Sequence, residues 1–174
     1  MGISEPALRT LVRRGVVEKV ARGLYHLSGS DSGEHYMLAG VCARVPTGIL
    51  CLLTALQYHG IGTRLSPEIW LAIPHGQRPA RVGLARVRFV RFTKTLLTAG
   101  VDEVKIDGVR ARITDLARTV VDCLRLTRSI DRETAGEALR ESLRSRAVTP
   151  NSLLRMAREC GSFERVRAAV EAVT

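Results

Sequence analysis

Apolar positions in this chain recur with two different periods, and the change of period divides it. From Ile3 to Gly15, Leu8, Leu11 and Val12 fall at i, i+3 and i+4, which predicts one amphipathic helix with Arg9, Thr10 and Arg13 on its opposite side. Its ends are punctuated: Ser4 stands where a cap is expected, Pro6 falls in the first turn and Gly15 follows the last apolar residue. VVEKVARGLYHL comes next, two short alternating runs broken at Ala21-Arg22-Gly23, which predicts a hairpin with a basic tip. A short helix feeding into such a hairpin has the order of a recognition helix and wing.

SGSDSGEH then interrupts the pattern, and residues 29–34 are predicted to link a small module at 1–28 to a larger domain at 35–174. Beyond it, Glu34–Val45 and Thr47–His59 read as two apolar helices, the second ending at Gly60. Period two takes over at Glu68–Pro74 (EIWLAIP) and Arg86–Phe92 (RVRFVRF). EVKI and VRARI follow, joined by Asp107-Gly108, a strong hairpin signal. From Asp115 onward the pattern is helical, with Leu116, Val120, Cys123 and Leu124 on one stripe, a start at Thr149-Pro150 and a stop at Cys160-Gly161. The predicted fold class is therefore α+β: a partial winged helix-turn-helix, then a helix-rich domain with a small, mainly antiparallel sheet.

Composition sharpens this in two respects. Hydrophobic residues make up 45% of the 174 residues while aromatics are only 4%, so the core must be built from aliphatic side chains. Lys plus Arg total 27 against 17 acids, a formal charge of +10, and an acidic partner is expected, nucleic acid being the commonest. Cys42, Cys51, Cys123 and Cys160 are far apart with no C-x-x-C, as expected of buried free thiols in a reducing compartment. No apolar run reaches the length of a membrane span and MGISEPALRT lacks the features of a signal peptide, so a soluble cytoplasmic protein with no membrane partner is expected.

Three groups of residues stand out as candidate sites. Ser4, Arg9, Thr10, Arg13, Arg14, Lys19 and Arg22 supply cations and hydroxyl donors suited to DNA phosphates; the same helix also reads as an amphipathic face packed on the second domain. Arg78, Arg81, Arg86, Arg88, Arg91 and Lys94 lie in the stretch His75–Thr98, which contains no acid. They suit nucleic acid, a nucleotide or an acidic protein, or simply the charged outer face of a half-buried strand. Asp115, Arg118, Thr119 and Asp122 stand at i, i+3, i+4 and i+7, on a helical face opposite the apolar stripe. Two carboxylates there could hold Mg²⁺, but Arg118 between them is placed to pair with both, which favours a salt-bridged scaffold.

His26, His35, His59 and His75 show no metal-ligand spacing, and the familiar nucleotide-binding and nucleophile motifs are absent. No cofactor or metal is called for, and an enzyme is not expected. A phosphotransfer or nuclease-like activity would have to rest on Asp102, Asp107, Asp115 or Asp122.

Four stretches together resemble the AbiEi-type antitoxins of type IV toxin-antitoxin and abortive-infection systems. They are LRTLVRRGVVEKVARGLYHL, LLTALQYHGI at Leu52–Ile61, PEIWLAIP at Pro67–Pro74 and GVRARITDLARTVVDCLR at Gly108–Arg125. The resemblance runs from about Leu8 to Arg125, and the family's helices before the recognition helix have no counterpart here. It implies a transcriptional autorepressor that binds the promoter DNA of its own operon and counters a nucleotidyltransferase-like toxin. Arg9, Arg13 and Arg14 would face the groove, Lys19 and Arg22 would meet phosphates, and Arg118, Thr119 and Asp122 would be the family's helix signature. A protein-interaction module that neutralises the toxin by direct contact is the alternative.

Overall fold

The computed structural model describes residues 3–21, 24–28, 34–83 and 85–173. It begins with α1 (Glu5–Arg13), then the antiparallel hairpin β1 (Val17–Ala21) and β2 (Leu24–Leu27), in register Val17 with Leu27. The C-terminus of α1 closes through Gly15 N–H to the Val12 carbonyl and Val16 N–H to the Leu11 carbonyl, a Schellman arrangement that satisfies two end carbonyls. Ser4 occupies the N-cap position, but its hydroxyl makes no capping bond.

The larger part is built on a mixed five-stranded sheet. α2 (Glu34–Arg44) leads to β3 (Ile49–Leu50), α3 (Leu52–Tyr58), β4 (Ile69–Pro74), β5 (Val87–Phe92), β6 (Val101–Ile106) and β7 (Val109–Thr114). The sheet order is β5-β4-β3-β7-β6. β3 pairs antiparallel with β4 but parallel with β7, β4 pairs parallel with β5, and β6 pairs antiparallel with β7. Half of the pairings are thus parallel, and the expectation of a mainly antiparallel sheet is corrected.

The expected helix over Thr47–His59 is corrected too, because Ile49 and Leu50 form the central strand. Both residues are fully buried, one on each face of the sheet, so the run shows no alternation to betray a strand. The Asp107-Gly108 turn between β6 and β7 has both residues at positive φ, 47° and 78°, which fits the twist of a two-residue hairpin and requires little of glycine.

Period two along the strands separates two cores. Ile49, Trp70, Ala72 and Phe92 face α3 and the C-terminal helices α4 (Leu116–Arg125), α5 (Arg132–Arg144), α6 (Pro150–Glu159) and α7 (Phe163–Glu171). Leu50, Leu71, Ile73, Ala111 and Ile113 face α2, with Ala80, Val82 and Ala85 of the β4–β5 crossover packed beside them. α6 starts with a capping box: the Thr149 hydroxyl accepts from Ser152 N–H, and the Ser152 hydroxyl accepts from Thr149 N–H.

Candidate functional site

The N-terminal candidates occupy one helix and one strand. No residue of α1 is buried; Leu8, Leu11 and Val12 are only half-covered, although Val17 of β1 is buried. Arg9 is paired with Glu5 one turn earlier at 2.9 Å, both exposed. The Thr10 hydroxyl donates to the Pro6 carbonyl at 3.1 Å, so its proton is already engaged. Arg13 and Arg14 are exposed and carry no side-chain partner among the described residues. Lys19 is exposed with its Nζ 6.0 Å from the centre of the Tyr25 ring. Arg22 and residues 29–33 of the expected linker lie outside the described residues, while Glu34 belongs to α2.

The acid-free stretch is divided by the structure into two sets. Arg88 and Arg91 are turned toward the body of the sheet. The Arg88 guanidinium sits 4.5 Å over the Trp70 ring of the neighbouring strand and 3.6 Å from the Glu68 carboxylate. Arg91 donates to the carbonyls of Pro74 at 3.2 Å and His75 at 2.9 Å, and also to that of Gln77, fixing the turn after β4. Arg78, Arg81, Arg86 and Lys94 are exposed and make no side-chain hydrogen bond or ion pair among the described residues.

The third group lies inside the protein, on what had been expected to be the face away from the core. Arg118 and Asp122 have fully buried side chains, and Thr119 is buried with them. α4 is enclosed by α3, α5, α6 and α7, so its polar side is covered as completely as its apolar one. Arg118 Nε donates to Asp122 Oδ2 at 3.0 Å, and its terminal nitrogens donate to the carbonyls of Ala99 and, at 3.1 Å, Leu96. It does not pair with the Asp115 carboxylate, which instead caps α4 by accepting from Arg118 N–H at 2.7 Å. Thr119 Oγ1 lies 2.7 Å from Thr114 Oγ1 and also bonds the Asp115 carbonyl, tying β7 to α4.

Arg125 completes this cluster and was missed as a functional position. Its Nε donates to Asp122 Oδ1 at 2.6 Å, so each oxygen of one carboxylate serves one arginine. Its position three residues after Asp122 was the available signal. The guanidiniums of Arg118 and Arg125 lie 4.9 and 5.7 Å from the Phe92 ring centre, placing the aromatic face beside two cations. Gly100, at φ +57°, allows this closeness, because a Cβ there would stand 2.7 Å from the Arg118 Cβ.

The four acids considered for catalysis are not gathered. Asp115 caps a helix, Asp122 is committed to two arginines, and Asp102 and Asp107 are exposed on β6 and its turn. Among the described residues no three His, Cys, Asp or Glu side chains cluster as a metal site. None of the described helices is long and apolar enough to cross a membrane. Burial pushes the Cys42 thiol up to about 11, and Cys51 and Cys123 are also raised, by burial and then by the neighbouring Asp122 carboxylate.

No family model matches the chain, and no curated protein matches it. Among solved structures, the RV2827C protein from Mycobacterium tuberculosis is similar, with a TM-score of 0.59 and 14% identity over 99% of this chain and 69% of that one. At that identity the likeness bears on the fold alone. The chain is an α+β protein.

Proposed function

We propose that this chain is a DNA-binding antitoxin, an autorepressor of its own operon that counters a nucleotidyltransferase-like toxin, with α1 and the β1–β2 hairpin as a partial winged helix. The supporting observation is the outer side of α1 and its hairpin, where Arg13, Arg14 and Lys19 are exposed beside a helix that buries nothing. Among the described residues Arg13 and Arg14 have no internal partner to leave when a phosphate approaches, whereas Arg9 would have to part from Glu5. The resemblance of four ordered sequence stretches to AbiEi-type antitoxins supports the same reading.

Fluorescence anisotropy with the operon's own upstream DNA and a random duplex of equal length tests it. Preferential binding whose affinity falls steeply with salt is the expected result, since each phosphate contact releases counterions. Equal affinity for both duplexes at every salt concentration sinks the repressor reading.

A second reading, direct contact with a partner protein, is favoured by Arg78, Arg81, Arg86 and Lys94, which are exposed and have no side-chain partner among the described residues. Arg86→Glu with Lys94→Glu should weaken co-purification with the neighbouring gene product while leaving promoter binding intact. Unchanged co-purification counts against this reading.

A further inference from the structure

β5 is a terminal strand among the described residues: it pairs with β4 and no other described strand lies along its second edge. Ile69 N–H donates to the Arg86 carbonyl at 2.8 Å, which sets the phase of the parallel ladder from Val87 to Phe92. Alternation then points the backbone N–H and C=O groups of Arg88, Val90 and Phe92 at β4, and those of Val87, Phe89 and Arg91 at the open edge. No hydrogen bond from another described residue reaches these outward backbone groups.

Natural sheets guard such an edge with charged side chains, a proline or a bulge. Here the paired register runs from Val87 to Phe92 without a bulge, and no proline occurs before Phe92 in the strand. Its two arginines do not guard it either, because both lean across the sheet, Arg88 onto Trp70 and Glu68 and Arg91 onto the carbonyls after β4. Val87 and Phe89 remain only partly covered beside the open groups. Arg86 and Lys94, exposed and unpaired among the described residues, stand at the two ends of the strand, with Arg78 and Arg81 in the crossover before it.

We infer that β5 receives an extended, acidic segment of a partner protein as a sixth strand. Backbone pairing along Val87–Arg91 would supply the register, and carboxylates at the ends of the segment would meet Arg86 and Lys94. Nucleic acid would satisfy the cations but has no alternating donors and acceptors at strand spacing with which to use the open edge. The inference deepens the second reading above and rests on it in one respect, that this surface faces a protein. Promoter binding through α1 is a separate measurement, so the failure of either leaves the other standing.

The test is an anisotropy titration of the full chain with a fluorescein-labelled peptide of about ten residues alternating glutamate with valine, the length and pattern of an added strand. Saturable binding is expected, weakened about tenfold or more by Arg86→Glu with Lys94→Glu. Val87→Pro changes no charge but removes one outward N–H, and it should also weaken binding about tenfold or more. A probe N-methylated at every peptide bond, which removes the donors of both strand edges, should lose binding to the unaltered protein, which keeps the test decisive if Val87→Pro fails to fold. Equal binding of the methylated and unmethylated peptides overturns edge pairing. Tighter capture of single-stranded DNA of equal charge that is lost on Arg86→Glu with Lys94→Glu assigns the surface to nucleic acid and overturns the proposal as well.

Discussion

α1 and α4 are both amphipathic helices rich in arginine, yet α1 buries no residue and α4 buries six in succession, from Arg118 to Cys123. Periodicity reports which side of a helix is apolar; it does not report how many neighbours the helix will have. α1 meets a hairpin along one side, so Arg13 and Arg14 stay in water. α4 is surrounded, so Arg118 must find partners inside the protein and does so in Asp122 and the carbonyls of Leu96 and Ala99. The difference separates arginines that hold the fold from arginines left over for a partner.

Removing the carboxylate from α4 should produce the largest effect. Asp122→Asn leaves the fully buried Arg118 guanidinium and the largely covered Arg125 guanidinium without their shared counter-charge, and a loss of about 3–5 kcal/mol is expected in urea unfolding. Replacing Arg118, Asp122 and Arg125 together by Met, Leu and Met should recover much of that loss, since no covered charge is then left to desolvate. A single Asp122→Asn variant as stable as the parent would contradict the structural role argued for this cluster.

The same contrast explains what could be read from the chain alone. Glu68–Pro74, Arg86–Phe92 and the Asp107-Gly108 hairpin alternate or carry a turn signal, and each lies where expected. β3 did not announce itself, because a strand buried on both faces looks like a buried helix in a run such as Gly48–Leu53. Asp115, Arg118, Thr119 and Asp122 stand at i, i+3, i+4 and i+7, but the spacing could not show that Phe92 and the Leu96–Gly100 turn would close over this side. The division of the acid-free stretch into engaged and unengaged cations was equally invisible. It depends on Trp70, Glu68 and the turn carbonyls, which lie beside Arg88 and Arg91 only after β4 and β5 pair.

Alkaline pH should expose the buried side of the comparison next. Cys42 is raised from the ordinary 9.0 to about 11 by burial, and Cys51 and Cys123 are shifted in the same direction. The folded state holds these protons more tightly than the unfolded one, so stability is full below the unfolded thiol value and falls as pH rises toward the folded values. Urea midpoints should drop between about pH 9 and pH 11, and Cys42→Ala should flatten that slope. α1 has no thiol, so exchange of its amides should respond far less than exchange in α4. A smaller loss of about 1 kcal/mol is expected at a helix end, from Thr149→Ala, which deletes half of the capping box of α6.

The smallest effect on stability should come from α1 itself. Arg13→Glu with Arg14→Glu alters two exposed side chains that have no partner among the described residues, so the unfolding free energy should move by no more than about 0.5 kcal/mol per site. If these arginines meet phosphates, the same pair of changes should weaken binding to the upstream duplex strongly. It should also reduce the slope of log affinity against log salt by about two, one unit for each lost contact. Unfolding and binding therefore need to be measured on the same preparation. A large stability loss would mean that α1 is held by contacts its exposure does not reveal, and the comparison with α4 would fail. An unchanged salt slope at unchanged stability would leave the comparison intact and remove these arginines from the DNA interface.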